Sequence, residues 1–286
     1  MIKKILLVFL FLPVLIFSQT SEKINSVVEF YNQKEYEKAK EEFEDLMDND
    51  IRVDSFYYYA GMNYMALKKY EEASEVFEKA VELNPKSSHY YLMLGNSYGL
   101  DAQNSSIFSQ FSLAKKCKNS YLKAVELNPE NIGARIALAS YYYQAPGIVG
   151  GDTEEAIEQA NFIIKKDEKR GRILLANIYV SEDENEKAEN EFKTLEEKFG
   201  DDSTFYDIYN SYGYFLINQN RVNEAIEKFK KQIALVPTNA NVYDSLGDGY
   251  LAVGDKKSAA QAFKKALEIN PDFSASKKKL QELQEN

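Results

Sequence analysis

Any chemistry in this chain would have to come from very few residues. Among 286 residues there is one histidine, His89, one cysteine, Cys117, and no tryptophan. A Ser-His-Asp relay would rest on His89 alone, because the serine needs an imidazole to take its proton. A structural zinc site draws its ligands mainly from Cys and His, so the usual kind cannot be assembled. Cys117 has no second thiol for an intrachain disulfide. Asp and Glu are plentiful, but no pair stands in a pattern that separates an acid from a base. The most suggestive stretch is "YYYQAPGIVGGDTEEA", Tyr141 to Ala156. A glycine-rich turn entering a helix can offer backbone N–H groups to a phosphate. The P-loop and dinucleotide forms require a preceding strand and a GxxxxGK or GxGxxG pattern, and neither is present. The acids Glu154 and Glu155 also stand where a phosphate would sit. The stretch reads better as a spacer, with Asp152 as N-cap of the next helix and Glu155 completing a capping box.

Bulk composition narrows the partners. The chain is 44% hydrophobic with a formal charge of −10. Nucleic acid is not expected as a partner, because phosphate contacts need clustered Lys or Arg. The lysines interleave with glutamates at helical spacing, which describes a solvated face. At the N-terminus, "MIKK" precedes an apolar run of 13 residues, "ILLVFLFLPVLIF". A span needs about 20 residues, so residues 1–18 are expected to be a signal peptide, cleaved near Ser18–Gln19. Export to the periplasm or the medium follows, with membrane contact only through that segment before cleavage.

The helices that would position any site declare themselves through a repeat. Gly61, Gly95, Ala139, Ala176, Gly213 and Gly247 follow one another in steps of 34, 44, 37, 37 and 34 residues. Three residues after each stands Tyr64, Tyr98, Tyr142, Tyr179, Leu216 or Tyr250. A second small position recurs at Ala39, Ala73, Cys117, Ala156, Ala188, Ala225 and Ala259, usually with an aromatic four residues on, as in Phe77, Tyr121 and Phe263. Small residues allow two helices to approach, and the aromatics are expected to fill the gap to the next pair. Pro85, Pro129, Pro237 and Pro271 close several blocks, since the residue before proline is pushed out of the helical region. Cys117, at a small buried position, is expected to be a packed, inert thiol. His89, opening a helix, is expected at the surface or a groove edge.

The pattern resembles the tetratricopeptide repeat family. "NVYDSLGDGYLAVGDKKSAAQAFKKALEINP" matches it at Tyr243, Leu246, Gly247, Tyr250, Ala259, Phe263, Ala266 and Pro271. The expected fold is all-α, a right-handed superhelical solenoid of about seven helix pairs with a capping helix over 274–286. The units run over 19–53 (degenerate), 54–87, 88–131, 132–168, 169–205, 206–239 and 240–273. The resemblance implies a concave groove that binds a peptide or protein, no cofactor and no enzymatic role. The chain also resembles a subgroup of exported bacterial repeat proteins of unclear role.

Two units break the spacing. Eight residues separate Tyr64 from Ala73, but eighteen separate Tyr98 from Cys117, and thirteen separate Tyr142 from Ala156. The first insertion, within 101–116, is expected to lengthen the second helix of its pair, starting near Ser106. The second, 144–152, enlarges the turn that carries Gln144, Pro146, Gly147, Gly150, Gly151 and Asp152. Both fall between the two helices of consecutive pairs, so they are expected to be neighbours. Either the loop packs under the long helix and hides Phe108 and Phe111, or the two wall off a pocket. Register places Tyr58, Met62, Met65, Leu92, Asn96, Ile136 and Tyr143 on the groove, continued by Asn177, Asn210 and Tyr214, with Asp244 and Asp248 making its far end acidic. The expected function is a partner-binding scaffold. The alternatives are a structural subunit of an envelope assembly, or a pocket for a small molecule or a reaction built around Asn96, Lys115, Gln144 and Asp152.

Overall fold

A computed structural model describes residues 24–47 and 51–285. The proposed signal segment lies outside the described residues. All regular structure among them is helical: α1 (24–32), α2 (Tyr36–Met47), α3 (Asp54–Ala66), α4 (Tyr70–Leu83), α5 (Ser88–Asn104), α6 (Ile107–Leu127), α7 (Ile132–Gln144), α8 (Thr153–Ile164), α9 (Glu168–Ser181), α10 (Asn185–Phe199), α11 (Asp207–Asn218), α12 (Val222–Leu235), α13 (Ala240–Ala252), α14 (Lys256–Ile269) and α15 (Ser274–Glu285). Single 3₁₀ turns lie at Gly147–Val149 and Ser203–Phe205.

The pairing follows from the small residues. A Cβ built on Gly61 would stand 2.6 Å from the ring of Phe77, and one on Gly247 would stand 2.2 Å from that of Phe263. Gly95 makes the same close approach to Tyr121, and Gly213 to Phe229. The aromatic therefore nests against the glycine of its own pair, a difference from the expectation that it fills only the gap to the next pair. Phe229 does both, since it also lies against Gly249 in the following helix.

The turns are equally legible. Asn84, Asn128, Val236 and Asn270, each preceding a proline, end α4, α6, α12 and α14 with φ between −135° and −143°. Inside the ordinary pairs the chain reverses through one left-handed residue: Lys34, Lys68, Asp183, Asn220 and Gly254, at φ of 62°, 60°, 56°, 59° and 78°. The last four stand four residues after Tyr64, Tyr179, Leu216 and Tyr250. At that register the two irregular units carry Ala102, which stays helical, and Pro146, whose ring locks φ negative.

The chain divides into two compact units, with the boundary after Gln159 inside α8. Unit 1 holds a core running from Val27 through Phe43, Phe56 and Phe77 to Leu138. Unit 2 has its own core, in which Phe192 stacks on Tyr212 at 5.0 Å and Phe229 is fully buried.

Candidate functional site

The two insertions meet inside unit 1. The first is shared between helices. α5 runs 17 residues and α6 runs 21, against 13 and 14 in the regular pair α3–α4. The lengthening of α6 from Ser106 agrees with the spacing, while the added turn of α5 was not anticipated.

The second insertion is a tied loop. Tyr141 donates its hydroxyl proton to the Val149 carbonyl at 2.8 Å, and the Asp152 amide donates to the Tyr142 carbonyl at 2.8 Å. The amides of Val149 and Gly151 both donate to the Pro146 carbonyl, and that of Gly150 to Gly147. Four consecutive amides are thereby consumed, which leaves no cradle of free donors for a phosphate. Gly150 takes φ +91°, and a Cβ on Gly151 would strike the Ala145 carbonyl oxygen at 1.7 Å, so both glycines are required by the backbone. Gly147 has open space around it. Asp152 Oδ1 accepts from the Glu154 and Glu155 amides, at 3.0 and 3.2 Å, and so caps α8.

Between the lengthened α5–α6 pair, α7 and this loop lies a cavity of about 700 Å³. Its lining is uncharged. Asn96, Gly99 and Gln103 face it from α5, Phe111, Ala114 and Cys117 from α6, and Ala137, Tyr141 and Gln144 from α7, with Pro146 and Val149 closing one side. Asn96 Oδ1 accepts a hydrogen bond from Tyr121 at 2.9 Å, which leaves its amide protons for a ligand. Burial pushes the Cys117 thiol up to about 11, although a hydrogen bond with Tyr121 opposes the rise, so the sulfur is a neutral apolar surface at physiological pH.

The loop does not hide the long helix. Phe108 is 90% exposed and Phe111 46%, with Ile107 at 64% and Ile148 at 76% beside them. Only Val149 of the loop turns inward and is buried. The reason is rotational. At about 100° per residue, Phe108 points well to the side of the α6 face that carries Ile107, Gln110, Phe111 and Ala114. The pocket alternative is therefore the arrangement found.

Of the anticipated site residues, Asn96, Phe111, Gln144 and Pro146 line the cavity, while Gly147, Gly150, Gly151 and Asp152 build its loop. Gly99, Ala137, Tyr141 and Val149 were not singled out from the sequence, although Gly99 has a readable signal. The same register position holds Met65, Tyr143, Val180, Ile217 and Leu251 elsewhere, so the glycine vacates volume. The other unit 1 positions lie apart from the cavity lining. Tyr58 stacks on Tyr90 at 5.3 Å and hydrogen-bonds His89 Nε2 at 3.0 Å. Met62 and Met65 are half-buried against the core, Ile136 is half-buried, and the Tyr143 hydroxyl accepts from Gln144 at 3.0 Å. Leu92 is a core residue, 9% exposed, with its Cδ2 3.5 Å from where a Cβ on Gly133 of α7 would stand.

In unit 2, Asn177 is exposed, but Asn210 accepts from Ser245 at 2.6 Å and Tyr214 donates to Asp248 at 2.7 Å, bonds that tie α11 to α13. The acidic end is not open either. Lys279 of α15 reaches Asp244 at 2.8 Å and Asp248 at 2.6 Å. The expectation of an acidic far end is met by a cation that the chain itself supplies.

Helix pairs of this register, each closed by a glycine–aromatic contact, have the fold of tetratricopeptide repeats, and the chain carries repeats of that family. The tetratricopeptide repeat family model matches residues 55–87 and 240–273. The chain is similar in fold to a tetratricopeptide repeat protein from Parabacteroides merdae, 19% identical, over 94% of this chain and 100% of that one at a TM-score of 0.67. It is similar also to the APC/C hetero-tetramer Cut9–Hcn1, 16% identical, over 90% of this chain and 48% of that one at a TM-score of 0.53. In sequence it is 28% identical to human Protein O-mannosyl-transferase TMTC1 over 57% of this chain, spanning only 18% of that protein.

Proposed function

We propose that this protein is an exported, non-enzymatic scaffold that holds a protein or peptide partner, with the insertion-built edge of unit 1 as its principal contact. The observation that carries the reading is the cavity of about 700 Å³ walled by α5, α6, α7 and the 144–152 loop, with exposed apolar residues at its rim. Two departures from the repeat converge on one hollow, and interfaces draw their affinity from apolar anchors seated in such hollows. The hetero-tetrameric assembly of the similarly folded Cut9–Hcn1 supports a protein as occupant. The absence of charge from the lining, and a thiol pushed up to about 11, give the hollow no poised acid, base or nucleophile. The likeness to the mannosyl-transferase spans too little of that protein to bring its reaction to this chain.

The test is an affinity pull-down from envelope extract with the chain 19–286, beside a variant in which 144–152 is cut to an ordinary repeat turn. The expected result is a stoichiometric partner lost with the loop. A partner held equally by both would move the contact to Tyr58 and Met62, and recovery of none would sink the reading. Mass spectrometry of the exported protein should find an N-terminus at or near Gln19.

A further inference from the structure

We infer that the cavity and its rim take an acidic, amphipathic segment of the partner protein. Two bulky apolar side chains enter or cap the hollow, and a carboxylate beside them meets Lys115 and Lys118. This rests on the partner-binding reading above and specifies the chemistry of the bound segment.

Three observations fix that chemistry. The first is extent. The apolar surface does not stop at the mouth of the cavity but continues from the lining residue Ile107 over Phe108 and Ile148, which are 90% and 76% exposed. A small molecule confined to the hollow would leave these residues in water, whereas a chain segment covers hollow and rim together. The volume, within the roughly 300–1,000 Å³ of pockets that enclose drug-sized groups, admits more than one side chain.

The second is what the lining can satisfy. Its polar groups are carboxamides, a serine hydroxyl, the Cys117 thiol and two phenols, Tyr121 and Tyr141, that already donate to Asn96 and Val149, with no charged residue among them. An ionised group carried inside would lose its hydration without a counter-charge, so the anchors are uncharged.

The third is the charge beside the mouth. Lys115 lies one turn beyond Phe111 along α6, and Lys118 one turn beyond Ala114. The Lys118 amine rests against the loop, close enough that a Cβ on Gly150 would be 2.1 Å from its Nζ. Neighbouring lysines on this helix are paired, Lys116 with Glu78 at 3.2 Å and Lys123 with Glu126 at 2.7 Å. Among the described residues, Lys115 and Lys118 have no carboxylate within ion-pair distance. On a chain of net charge −10, two unpaired ammonium groups at the rim of an uncharged pocket set the sign and the direction of the approaching segment.

The experiment pans a displayed random dodecapeptide library on the chain 19–286 and measures the enriched peptides by fluorescence anisotropy. The expected peptides carry two large apolar residues within one helical turn and Asp or Glu in the adjacent turn. Gly99→Leu, which fills the hollow, should weaken them by about tenfold or more, as loss of a central anchor does. Phe108→Ser, at a side chain too exposed to disturb the fold, should weaken them severalfold. The Lys115→Glu, Lys118→Glu pair should weaken them and remove the dependence of Kd on salt. Enrichment of Lys or Arg, or affinity indifferent to all three variants, would overturn the inference. If peptides bind but lose affinity only with Met62→Ala and Met65→Ala, the scaffold reading stands and this inference falls. If no peptide binds, both fall. A dimer broken by Phe108→Ser that excludes peptide would make a second copy the occupant and likewise overturn it.

Discussion

Replacing Gly151 by alanine adds one methyl group at the tightest point of the loop. Its Cβ would stand 1.7 Å from the Ala145 carbonyl oxygen and 2.7 Å from the carbonyl carbon. Both are backbone atoms held by α7, so no side chain can swing aside and the loop must open. Opening forfeits the Asp152-to-Tyr142 and Tyr141-to-Val149 hydrogen bonds, each 2.8 Å long, and the 3.2 Å bond from Gly151 to Pro146. Each contributes about 1 kcal/mol net. Exposing Val149, now 7% accessible, adds about 1 kcal/mol or more of lost burial. Water recovers part of the hydrogen bonding, so the expected loss is about 2–4 kcal/mol, concentrated in unit 1. Urea unfolding followed by tyrosine fluorescence should show the midpoint fall, and hydrogen exchange should show the Asp152 amide losing protection. Gly147→Ala is the matched control. It stands in the same loop with nothing within 4 Å of its Cβ, and should change stability by less than about 0.5 kcal/mol. If Gly151→Ala unfolds with Gly147→Ala, the loop is not tied as described and the argument for a built wall collapses.

Other perturbations separate the forces elsewhere in the fold. Gly247→Ala should cost about 1–3 kcal/mol or more in thermal or urea unfolding, since the fully buried Phe263 ring cannot yield to a Cβ at 2.2 Å. Lys68→Gly should instead stabilise by about 0.5–1 kcal/mol, because a left-handed lysine at φ 60° costs more than the added freedom of glycine. The hydrogen bond from Arg221 is the main reason the Glu189 carboxyl is held down to about 2, with Lys193 adding to it against the cost of burial. That contribution is present above the ordinary carboxylate range and is lost as pH falls towards 2. Glu189→Gln should therefore remove about 2 kcal/mol at pH 7 and flatten the acid limb of the stability curve. Cys117, with its thiol at about 11, should react with N-ethylmaleimide at pH 8 at least about a hundredfold more slowly than a free cysteine, until urea opens the pair.

The helix pairs were legible because their causes are local and recur. The glycines at Gly61 and Gly247 can be read as close approaches once Phe77 and Phe263 are seen to share one offset from them. The Asn-Pro and Val-Pro closures act through sterics on a single residue, so helix ends follow from the sequence. What was not legible involved a choice between two satisfactory destinations. Leu92 is apolar on a face that register assigns to the groove, and only packing decides that it is buried. Asp244 and Asp248 read as an acidic surface because the register cannot foresee that Lys279, more than thirty residues away, folds back onto them.

The cavity was half legible, and the missing half lay in negative information. Spacing announces that ten and five extra residues enter consecutive units. It cannot say whether they fill the space between helices or enclose it. Two positions decide the matter. At the left-handed turn position, Pro146 forbids the one-residue reversal used by Lys68, Asp183 and Asn220, so the chain must travel farther before α8 can begin. One register step from Tyr98, Gly99 leaves empty the volume that Met65, Tyr143, Val180, Ile217 and Leu251 fill at the same step. A longer wall with a smaller residue behind it yields a hollow. If either were restored to the repeat's habit, by a left-handed residue in a shortened loop or by leucine at Gly99, the hollow should close while the pairs persist. Helix pairs form in the remaining units without either departure, so the pairing itself does not require them.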